Sequence, residues 1–65
     1  MVQVAIAQSG SDWSVFRNGN VILTGLSRSR AQERAEEYAT EVRDLGEEVE
    51  LLVQEYWGEL RRRTL

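Results

Sequence analysis

Cysteine, histidine and lysine are all missing from this 65-residue chain. With no cysteine there is no disulfide, and with neither cysteine nor histidine there is no structural zinc site of the usual ligand set. The same three absences remove the commonest general bases and activated nucleophiles. Ser9, Ser11, Ser14, Ser27 and Ser29 have no such base to activate them and are expected in turns and caps. We therefore expect no enzyme, no catalytic residue, no cofactor and no metal. Long apolar runs are missing too: nothing approaches the roughly 20 residues that span a bilayer, so no membrane partner is expected. The start, Met1-Val2-Gln3-Val4-Ala5-Ile6-Ala7, lacks the basic region and long apolar core of a signal peptide, which gives a cytoplasmic expectation.

Residues 1–65 form a single small domain on length alone, and a chain of this size buries only about 60% of the surface its unfolded form exposes. With disulfide and zinc excluded, self-association is the remaining way to add stability. The formal net charge of −3 conceals strong segregation. Residues 1–32 carry Asp12 against Arg17, Arg28 and Arg30, whereas residues 33–59 carry ten acids against Arg34 and Arg43. Arg61, Arg62 and Arg63 follow. An acidic balance opposes nonspecific binding to phosphate backbones or anionic lipid, so nucleic acid is not the expected partner.

The first half reads as three strands. Val2, Val4 and Ile6 alternate with Gln3, Ala5 and Ala7 at period two. After a polar turn at residues 9–12, a run from Trp13 to Arg17 meets one from Asn20 to Thr24 across Asn18-Gly19, the dipeptide best suited to the positive φ angles of a type I′ hairpin. An unbroken register puts Val15 opposite Ile22 and Trp13 opposite Thr24 on one side, and Phe16 opposite Val21 and Ser14 opposite Leu23 on the other.

A helix is predicted next, capped by Ser29 with Gln32 as reciprocal partner and stopped by Gly46. Ala31, Ala35, Tyr38, Ala39, Val42 and Leu45 form a narrow, alanine-rich stripe that should dock on the Trp13, Val15 and Ile22 face, beside Val2, Val4 and Ile6. Residues 48–57 suit either a strand, from the alternation of Val49, Leu51 and Val53, or a helix. The β-branched Val49 and Val53 and the helix-weakening Gly58 favour strands, with a turn at Trp57-Gly58 and a last strand from Glu59 to Thr64. The expected fold is α+β in two layers, an antiparallel sheet on one helix in the order β-β-β-α-β-β; the alternative is β-β-β-α-α.

In this order the residues resemble a family of small bacterial and phage proteins catalogued as domain of unknown function 2188. The likeness rests on Trp13-x-Val15 after a Gly/Ser turn, Gly19 in the next hairpin, and Ser29-x-Ala31 with Ala35 and Ala39. It continues through Gly46, the Val-rich segment Val49 to Val53, and Gly58-Glu59-Leu60-Arg61. The resemblance implies a sheet covered on one face by a single helix and brings no activity with it.

Three functional classes compete. The first is a non-enzymatic accessory or interaction module that self-associates, as a dimer, through Phe16, Val21, Leu23 and Leu52 on the face the helix leaves bare. The second is a DNA-binding domain that uses a three-stranded sheet, as the amino-terminal domains of phage integrases do; Trp13, Arg17 and Gly19 look similar to that pattern, with Arg17, Arg28 and Arg30 as phosphate contacts. The third is an acidic inhibitor or adaptor of phage type that presents Glu33, Glu37, Glu41 and Asp44 to a basic protein. Such an acidic row is more often a solvated helix face, and the first class is the preferred expectation.

Overall fold

Asn18 and Gly19 both have positive φ, 49° and 85°, so the Asn-Gly hairpin forms as predicted. The computed structural model describes residues 1–54 and 60–63. It contains β1 (Val2–Ser9), β2 (Asp12–Arg17), β3 (Asn20–Leu26), α1 (Arg28–Asp44), β4 (Val49–Gln54) and β5 (Leu60–Arg63). The order β-β-β-α-β-β is the preferred expectation, and residues 49–54 are strand. Of the ambiguous segment, residues 55–57 lie outside the described residues, as do Gly58 and the ends of the last strand at Glu59 and Thr64.

The five strands form one sheet in the order β3-β2-β1-β4-β5. β1 lies at its centre, antiparallel to β2 and parallel to β4, with Val4 beside Leu51 and Ile6 beside Val53, so the sheet is mixed and not antiparallel as expected, because the helix crosses over between β3 and β4 and returns the chain alongside β1 in the same direction. That parallel pairing decides the strand against the helix, because it sends Leu51 and Val53 inward with Val2, Val4 and Ile6. All five are buried, and Val15 of β2 joins them. Full burial of an aliphatic side chain contributes about 1.5–3 kcal/mol, so this layer supplies much of what holds so small a domain together.

The hairpin register departs from the expectation. Phe16 does pair with Val21, but Val15 pairs with Leu23 and Trp13 with Leu26, through two irregularities in β3. Each places an extra β3 residue against β2, as a bulge does. Ile22 therefore does not face Val15; it is 41% exposed and outside the core. The pairings of Trp13 with Thr24 and of Ser14 with Leu23 fail for the same reason.

The helix starts earlier than predicted. Ser27, not Ser29, is its N-cap, with its hydroxyl accepting a hydrogen bond from the Arg30 backbone N–H at 3.2 Å. Gly46 ends it as expected, at φ 95°. Its N–H donates to the Arg43 carbonyl at 2.9 Å and the Glu47 N–H to the Val42 carbonyl at 3.3 Å, the paired bonds of a Schellman motif. Ala31, Ala35, Ala39 and Val42 are buried against the sheet and Tyr38 packs at their margin. Leu45 caps the helix and is 83% exposed, outside the stripe it was assigned to.

Candidate interaction surface

Alternation along β1 places Gln3, Ala5 and Ala7 on the side away from the helix. Ala5 is flanked by Phe16 on β2 and Leu52 on β4, and Phe16 in turn by Val21 on β3. Three of the four apolar residues assigned to this face, Phe16, Val21 and Leu52, thus stand in one row across the sheet. The fourth does not: the bulge carries Leu23 opposite Val15, a helix-side residue. Phe16 and Leu52 are half-buried and Val21 is 54% exposed.

Leu60 is the member that sequence reasoning missed. It is 50% exposed and pairs with Gln54 on β4. With Gln3, Ala5, Ala7, Phe16 and Gly19 it lines an open hollow of about 250 Å³. The only signal for it was the alternation of Leu60 and Arg62 in a short segment of undetermined register.

An ion pair borders the row. The Arg62 guanidinium on β5 donates to the Glu50 carboxylate on β4, and the Gln3 side-chain amide donates to the other oxygen of that carboxylate at 3.2 Å. The Gln3 amide first, and then Arg62, hold the Glu50 carboxyl below its ordinary range against a smaller opposing effect of desolvation. Gln3 also exchanges hydrogen bonds with the hairpin tip: its N–H donates to Asn18 Oδ1 at 2.9 Å and its carbonyl accepts from the Asn18 N–H at 2.7 Å. A single residue of β1 thereby ties the first hairpin to β4.

The acidic candidates lie on the opposite side of the molecule. Glu33, Glu37, Glu41 and Asp44 are exposed along α1, and with Glu36 and Thr40 they border an open, solvent-filled surface. Arginines interrupt the row: Arg34 approaches Glu37 at 3.7 Å and Arg43 approaches Asp44 at 3.9 Å. Among the described residues no group of three or more carboxylates is arranged to hold a metal ion.

The three arginines of the DNA-binding alternative are split between two ends of the fold. Arg28 opens α1 and stands over the Trp13 ring at 5.4 Å from its centroid, in cation–π range, and Arg30 follows in the same helical turn. Arg17 is at the hairpin end, on a surface shared with Tyr38, Glu41, Leu45 and Glu47. Of the described aromatic residues, Trp13 and Tyr38 pack against the helix-side core and Phe16 is on the bare face; Tyr56 and Trp57 lie outside the described residues.

No family model, curated protein or solved structure matches this chain. Among the described residues no helix is long and apolar enough to cross a membrane.

Proposed function

We propose that this protein is a non-enzymatic interaction module that works as a homodimer, joined through the sheet face bearing Phe16, Val21, Leu52 and Leu60. The observation that carries the reading is the division of the described residues: the helix packs on Val2, Val4, Ile6, Val15, Leu51 and Val53, while Phe16, Val21, Leu52 and Leu60 occupy the other side of the same five strands. Monomers seldom leave such a row in water, and a two-fold axis lets one patch serve as its own complement. The likeness to the domain of unknown function 2188 family agrees with a sheet covered on one face and belongs to this proposal, as does a cytoplasmic setting. The separation of Arg17 from Arg28 and Arg30, and the acids around Arg17, disfavour the DNA-binding reading. The arginines that interrupt the acidic row disfavour the adaptor reading.

Sedimentation equilibrium from micromolar concentration upward should show the mass rising toward twice the chain mass of 7.5 kDa. Phe16→Glu should give a folded monomer of lower melting temperature. A wild-type chain that remains monomeric at every concentration would overturn the proposal.

A further inference from the structure

We draw no further inference here: the strongest candidate, the outer edge of β3 with its exposed Val21, Ile22 and Leu23, is broken by the two irregularities that blunt a sheet edge, and nothing in the structure shows what strand would cover it.

Discussion

Leu51 and Leu52 are neighbours on β4 and meet opposite fates. Leu51 stands beside Val4 under the helix and is 1% exposed; Leu52 stands beside Ala5 on the bare face and is half-buried. The same division runs along β1, where Val2, Val4 and Ile6 are buried and Gln3, Ala5 and Ala7 look the other way. One face of this sheet therefore serves folding. The other keeps apolar residues whose purpose, on the reading proposed above, lies between molecules.

The largest test of this division is the pair of truncations at those two leucines. Leu51→Ala should destabilise the domain by about 2–5 kcal/mol, since it opens a cavity in the buried layer between sheet and helix. In a domain of this size that is a large part of the total, and urea melts should show loss of most of the folded population. Leu52→Ala, measured where the chain is monomeric, should cost about 1 kcal/mol or less, because the side chain is only partly withdrawn from water. Its larger effect should appear as weaker association. Equal costs at the two positions in the monomer would erase the distinction between the faces.

A smaller test addresses how α1 is held over its face. Ser27→Ala removes the hydroxyl that accepts from the Arg30 N–H and should lower stability by roughly 1 kcal/mol, whereas Ser29→Ala should stay within about 0.5 kcal/mol of wild type. Thermal melts of the two variants, side by side, separate the two serines. The reverse ranking would place the helix start where the sequence had suggested.

Those serines show where the sequence is legible and where it is not. The Asn18-Gly19 turn, the strand alternation and the Gly46 stop are local signals, each needing only a few neighbouring residues, and each is realised. Ser27 and Ser29 are both chemically able to cap. The choice falls to Ser27 because β3 ends at Leu26, a fact of sheet pairing and not of helix chemistry. The β3 irregularities are non-local in the same way. Once Val15 pairs with Leu23 and Trp13 with Leu26, extra residues must be absorbed against β2, and Ile22 is lost from the core. Nothing in the run Val21-Ile22-Leu23-Thr24 marks this, although Gly25, at φ 73°, supplies a conformation that few residues adopt. The candidate face follows the same rule. Phe16 and Val21 were legible through the hairpin and Leu52 through period-two alternation. Leu60 required the β4–β5 register, and the bulges removed Leu23.

The network of Gln3, Glu50 and Arg62 joins residues far apart in sequence and yields the smallest expected effect, one that depends on pH. Folding lowers the Glu50 pKa, chiefly through the Gln3 amide and then through Arg62. The tether to β5 therefore contributes fully above the carboxyl's ordinary, unfolded value and is lost as the pH falls through the lower folded value. Other carboxylates titrate in the same range, so the informative quantity is the difference between wild type and Glu50→Gln. That difference in melting temperature should favour wild type at about pH 6, narrow as the pH approaches 3 and shrink with added salt, since the Arg62 side chain is largely solvent-exposed. A gap that does not change from pH 6 to pH 3 would mean that Glu50 holds β5 by packing alone, and the border of the bare face would then owe nothing to its charge.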